Sequence, residues 1–142
     1  MIREGRIARD ILLLKKDPIE GISLLQSEQD GYRILLNGLG PYVERTFILE
    51  LSFPTSFPFS PPLVRFQMPV PYHPNIGDNG EVCLDVLKLP PRGAWRPHLS
   101  LSSILEAIQR LLVHPNLDDP LSTDIAHIYL SNHQLYLSNC KK

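Results

Sequence analysis

A stretch of 33 residues in the middle of this chain, Gln67 to Leu99, has neither helical nor strand periodicity and carries Pro69, Pro71, Pro74, Pro90, Pro91 and Pro97. Proline fixes φ and removes a backbone donor, so no regular helix or central strand runs through such a segment. An irregular segment this long inside a domain is usually a functional loop or a disordered one. Tyr72, Val82, Leu84, Val86, Leu87 and Trp95 argue for the first, because apolar side chains at this density anchor a loop to a core.

The core itself has to come from the flanks. Ile7, Ile11 and Leu14 stand at i, i+4 and i+7 with arginines between them, one apolar stripe of a helix that Asp17-Pro18 ends. Four short runs follow, Ile22 to Gln26, Tyr32 to Asn37, Thr46 to Phe53 and Leu63 to Phe66, separated by Gly, Asn, Asp and Pro. In the third, Phe47, Leu49, Leu51 and Phe53 alternate with Thr46, Ile48, Glu50 and Ser52. Strands in this succession most simply form an antiparallel meander.

Beyond the loop, Ser100 is a candidate N-cap for a helix whose Leu101, Ile104, Leu105, Ile108, Leu111 and Leu112 predict the central buried element. His114-Pro115-Asn116 ends it. Asp118-Asp119-Pro120 reads as the start of a third helix carrying Leu121, Ile125 and Ile128, and Asn132 to Asn139 as a short last one. The expected class is α+β, with residues 1–142 as one domain: a chain of this length buries roughly 70% of its unfolded surface around a single core.

Composition narrows the setting. Two cysteines, Cys83 and Cys140, make no disulfide framework, which points to a reducing compartment. No run reaches the ~18 apolar residues of a membrane span, and the basic start lacks an apolar core with a cleavage site, so a soluble intracellular protein is expected. A net charge of −1 gives no general support for binding nucleic acid. Within the first sixteen residues, however, Arg3, Arg6, Arg9, Lys15 and Lys16 outnumber Glu4 and Asp10 by three, a basic face that is either solvated or meets an acidic partner.

Cys83 lies in Gly80-Glu81-Val82-Cys83-Leu84-Asp85. A thiolate is a strong nucleophile and its thioesters stay reactive toward amines, which suits acyl transfer. Taken alone, a free cysteine is more often a small buried hydrophobe. Zinc binding by His73, Cys83, His98 and His114 finds no support in paired ligand spacing.

Tyr72-His73-Pro74-Asn75-Ile76 precedes the cysteine, with Asn75 eight residues before it, and Trp95-Arg96-Pro97 follows. Pro41-Tyr42, Phe57-Pro58-Phe59-Ser60-Pro61-Pro62 and Asn116-Leu117-Asp118-Asp119-Pro120-Leu121 stand around them. In order and spacing these motifs resemble the ubiquitin-conjugating enzyme family, from the first helix to the last residues. Within it, the long connection Leu84 to Pro97 is most similar to the T-type sub-family of the Fanconi anaemia DNA-repair pathway.

The resemblance implies a fold with an N-terminal helix, a four-stranded meander, a long active-site loop, a central helix and short C-terminal helices. It implies that Cys83 takes ubiquitin from an activating enzyme as a thioester and passes it to a lysine of a protein substrate with a RING-type ligase. Monoubiquitination in DNA repair, in the nucleus and cytoplasm, is the sub-family expectation. No cofactor is expected, since ATP is used upstream by the activating enzyme. Asn75 either donates its amide to the oxyanion or braces the loop. His73 is expected to pin a turn through its ring nitrogens. Asp119 matches the family position that orients or desolvates the incoming lysine. Asp118 is read as a helix N-terminal charge and Asp85 as a weaker acidic candidate. Phe59 and Pro97 match the two loops that meet RING ligases, and Arg3, Arg6 and Arg9 the basic first helix shared by the activating enzyme and ligases. Phe57 is expected in the core, before a proline at a family cis position.

Three departures stand out. Val43-Glu44-Arg45-Thr46 lacks the glycine usual near the hairpin turn, Leu117 replaces a common proline, and the chain stops at Lys142 where many members carry a longer terminal helix. Two rival readings are a non-catalytic variant that only presents ubiquitin or a ligase, and a conjugating enzyme for another ubiquitin-like modifier. Variants of the first kind lack the acceptor cysteine.

Overall fold

The computed structural model describes residues 2–28 and 31–142. Its elements follow the periodicity of the sequence: α1 (Ile2–Lys16), β1 (Ile22–Glu28), β2 (Gly31–Asn37), β3 (Thr46–Ser52), β4 (Leu63–Phe66), α2 (Leu101–Val113), α3 (Thr123–Ser131) and α4 (His133–Cys140). The four strands pair antiparallel in sequence order, the expected meander. Alternation puts Phe47, Leu49 and Leu51 of β3 into the core while Thr46 and Glu50 face outward.

That sheet face and α2 share one core. Ser100 caps α2 by accepting the Ser103 N–H at 3.2 Å, and Leu101, Ile104, Leu105, Ile108, Leu111 and Leu112 are buried along it. Ile11 and Leu14 of α1 are buried in the same cluster. Each such side chain contributes about 1.5–3 kcal/mol when withdrawn from water. Among the described residues no helix is long and apolar enough to cross a membrane.

In the connection between β2 and β3, Glu44 takes the left-handed region at φ 75, while Gly38 stands where a Cβ would come 2.0 Å from the Tyr42 carbonyl oxygen. Its neighbour Arg45 donates to the Cys140 carbonyl at 3.2 Å, tying the hairpin to the end of α4. The helix expected to open at Asp118-Asp119-Pro120 begins at Thr123 instead, with Ser122 as its cap, accepting the Ile125 N–H at 3.1 Å. The reason is local. The N–H groups of Leu121 and Ser122 both donate to the Pro74 carbonyl, at 2.9 and 3.1 Å, and hold the acidic segment in a loop against the His73-Pro74-Asn75 turn. Asp118 is therefore outside the helix whose N-terminus it was expected to favour.

Candidate active site

The proline-rich segment is ordered by a chain of contacts that starts at His73. This ring is fully buried, and a backbone N–H can only donate, so the Asn75 N–H bond to Nδ1 at 3.0 Å fixes the proton on Nε2, which donates to the Leu111 carbonyl at 2.7 Å. Burial pushes its pKa down from 6.5 to about 4, against the opposing pull of the Leu111 carbonyl. The turn is thus pinned to the central helix by a neutral imidazole.

Asn75, also fully buried, connects three pieces of chain. Its backbone carbonyl accepts the Cys83 N–H at 2.9 Å. Its side-chain amide donates to the Asn116 carbonyl at 2.8 Å and accepts the Asn116 N–H at 2.8 Å. Of the two readings open for this residue, the bracing contacts are both made. Among the described residues the second amide hydrogen has no partner.

Cys83 lies at the rim of this framework, partly exposed. Isolated bridges between Ile76 and Val82 and between Arg65 and Glu81 fasten the chain just before it. Gly80, at φ +89, is required there, because a Cβ would stand 2.0 Å from the Phe66 carbonyl oxygen. The thiol points toward the Asp119 carbonyl at 3.8 Å, and the Lys88 Nζ lies 3.2 Å from the sulfur. The carboxylates of Asp85, Asp118 and Asp119 belong to exposed residues. Asp118 donates its N–H to the Asn116 Oδ1 at 3.0 Å, closing a small turn, while Asp85 opens a 3-10 turn, Asp85–Leu87. Cys140 is the opposite kind of thiol. It is fully buried, its Sγ is 3.7 Å from the Tyr72 carbonyl, and burial raises its pKa.

Lys88 was not among the residues singled out from sequence. After the 3-10 turn the chain closes on itself: Ala94 N–H donates to the Asp85 carbonyl at 2.8 Å and Trp95 N–H to the Lys88 carbonyl at 3.0 Å. That closure turns Lys88 back toward Cys83. A lysine five residues from a candidate nucleophile is a signal that could have been weighed, but only the fold gives it direction.

Phe59 and Pro97 are both exposed, Phe59 at 66%. Phe57 is buried and its bond to Pro58 is cis, and the Pro58 carbonyl accepts the Trp95 indole N–H at 3.1 Å. Arg3 and Arg6 are largely occupied within the chain. Arg3 donates to the carbonyls of Phe53 and Pro54, at 2.8 and 2.9 Å, and Arg6 to those of Pro97 and Leu99. Arg9 keeps an exposed guanidinium, 60% accessible.

A partly exposed thiol stands on a braced loop, with the acidic segment held beside it through the Asp119 carbonyl. Among the described residues no three His, Cys, Asp or Glu side chains gather as ligands. The family model described as ubiquitin-conjugating enzyme matches residues 6–142. Over its whole length the chain is 45% identical to Ubiquitin-conjugating enzyme E2 T of Xenopus laevis, covering 76% of that protein. It is 44% identical to the protein of that name from Danio rerio and 42% to that from Homo sapiens, covering 75% and 74% of them. The chain belongs to the ubiquitin-conjugating enzyme family, enzymes that transfer ubiquitin with activating enzymes and ligases as their general partners.

Proposed function

We propose that Cys83 accepts the C-terminal carbonyl of ubiquitin as a thioester and passes it to a lysine of a protein substrate, with a RING-type ligase bound across Phe59 and Pro97. The observation that carries this reading is the contrast between the two thiols: Cys83 is partly exposed at a braced loop, whereas Cys140 is sealed in the core.

In loading, the Cys83 thiolate attacks the thioester carbonyl on the activating enzyme, whose own thiolate leaves. In discharge, the substrate amine attacks the new thioester, a C–N bond forms, the C–S bond breaks and Cys83 leaves as thiolate. The amine must lose a proton on the way. Asp119 is exposed and its backbone carbonyl lies 3.8 Å from the sulfur, so its carboxylate is the group we assign to orient that amine, with Asp85 and Asp118 as outlying charges. Asn75 acts chiefly by holding the Asn116 segment, and so Asp119, against the Cys83 loop; its spare amide hydrogen is the donor available to an oxyanion. His73 holds the turn. The chain needs no cofactor of its own in this scheme, because ATP is consumed upstream.

The similarity to the E2 T proteins and the long Leu84 to Pro97 connection support a finer assignment: monoubiquitination in DNA repair, in the nucleus as well as the cytoplasm. Incubation with activating enzyme, ATP and ubiquitin tests the core of the proposal. A conjugate lost on thiol reduction is expected, and Cys83→Ala abolishes it. The same adduct on the Ala variant would sink the assignment, and parallel loading with other ubiquitin-like modifiers would show whether ubiquitin is the preferred one.

A further inference from the structure

Asp10 is a carboxylate with 2% exposure, on the side of α1 that packs toward α2. A charge so withdrawn from water has to be paired. Its oxygens accept the Arg6 Nε–H at 3.2 and 3.3 Å and the Leu101 N–H, at the start of α2, at 3.3 Å; Arg9 Nη2 lies 3.6 Å away. The Leu101 amide is one of the N-terminal donors that a helix leaves without an internal partner, a favourable place for negative charge.

What Asp10 does to Arg6 is the informative part. A guanidinium is planar and rigid, so fixing Nε fixes the directions of both Nη atoms. Those atoms donate to the carbonyls of Pro97 and Leu99, while the guanidinium carbon sits 5.8 Å from the centre of the Phe57 ring. The Arg6 side chain is only 10% exposed. Two residues past Phe57 stands Phe59, and the Pro58 between them is bonded to Trp95, two residues before Pro97. Both exposed prongs are therefore located with reference to one guanidinium, which is itself aimed by Asp10.

We infer that Asp10 is a positioning residue for ligase-dependent transfer: from the interior, through Arg6, it sets how Pro97 is presented beside Phe59. The inference rests on the reading that these two residues meet a RING ligase. Asp10 is too buried to touch a ligase, so an effect of its substitution on ligase response is not a lost direct contact.

The test uses the full chain and three rates: loading by the activating enzyme, discharge to free lysine alone, and discharge to free lysine with a RING ligase. For Asp10→Asn the first two should stay within about twofold and the third should fall about tenfold, the scale of a modest misplacement of a positioned group. Asp10→Glu should recover most of the loss. Arg6→Lys, which keeps the charge and loses the fork, should lower the ratio of ligase-stimulated to unstimulated discharge as the Asn variant does, whatever its own loading rate, and serves in its place if that variant does not fold. Retention of ligase stimulation by Asp10→Asn and Arg6→Lys, with its loss in Phe59→Ala, overturns the inference alone. Retention in Phe59→Ala as well overturns the ligase-surface reading beneath it. An equal fall in all three rates makes Asp10 a folding residue only and overturns the inference too.

Discussion

The side chain of Asn75 and the backbone of Asn116 exchange two hydrogen bonds of 2.8 Å each, and the same Asn75 takes the Cys83 N–H on its carbonyl. One residue therefore sets the spacing between the thiol and the acidic segment. Asn75→Ala should slow discharge to lysine by about 10²-fold while loading changes by less than about threefold, because misplacement of a positioned group costs that much. Amide hydrogen exchange at Asn116 should accelerate in parallel. A discharge defect with Asn116 exchange unchanged would transfer the role from bracing to the oxyanion.

His73 makes stability depend on pH. Its folded pKa of about 4 lies below the unfolded 6.5, so the unfolded chain binds the proton first. The stabilisation is complete above about pH 6.5 and is lost as pH falls toward 4, about 3 kcal/mol over the window. Denaturant midpoints measured between those pH values should follow this slope, and His73→Gln should flatten it. A ring proton on Nδ1 would also face the Asn75 N–H, so the turn is expected to open in the same range.

Lys88 stands 3.2 Å from the Cys83 sulfur, where a thioester carbonyl would form. Intramolecular attack at such range has a large effective concentration. Loaded protein left without substrate should slowly build up a self-conjugate that resists thiol reduction. Peptide mapping should place it on Lys88, and Lys88→Arg should remove it.

Gly93 controls where that lysine sits. A Cβ there would come 2.1 Å from the Lys88 carbonyl oxygen and 2.3 Å from its Cβ. Gly93→Ala must therefore displace Lys88 and the bond it receives from Trp95, at a loss of about 1–3 kcal/mol in stability. Thermal melting should register the loss, and the Lys88 self-conjugate should decline with it.

The regular elements were legible because their apolar residues repeat at the period of the element that forms, from Phe47, Leu49 and Leu51 in β3 to Leu101 through Leu112 in α2. The start of α3 was misplaced because Asp118-Asp119-Pro120 carries the residue types of a helix opening; two bonds to the distant Pro74 carbonyl outweigh that local preference. Site residues were legible where a local motif marks them, as with Cys83 and His73-Pro74-Asn75. Partners set by long-range closure were not. Asn116 lies 41 residues from Asn75, and Arg6 reaches carbonyls more than 90 residues away. No local pattern encodes such pairings.

The Phe66 N–H donates to the Gly80 carbonyl at 2.9 Å, and Arg65 is bridged to Glu81, so the free side of β4 is covered by the very loop that leads to Cys83. An uncovered strand of this kind is a template for joining another molecule's sheet. The segment that presents the thiol therefore also guards against intermolecular strand pairing, and damage to it would surface as loss of soluble protein as well as loss of turnover.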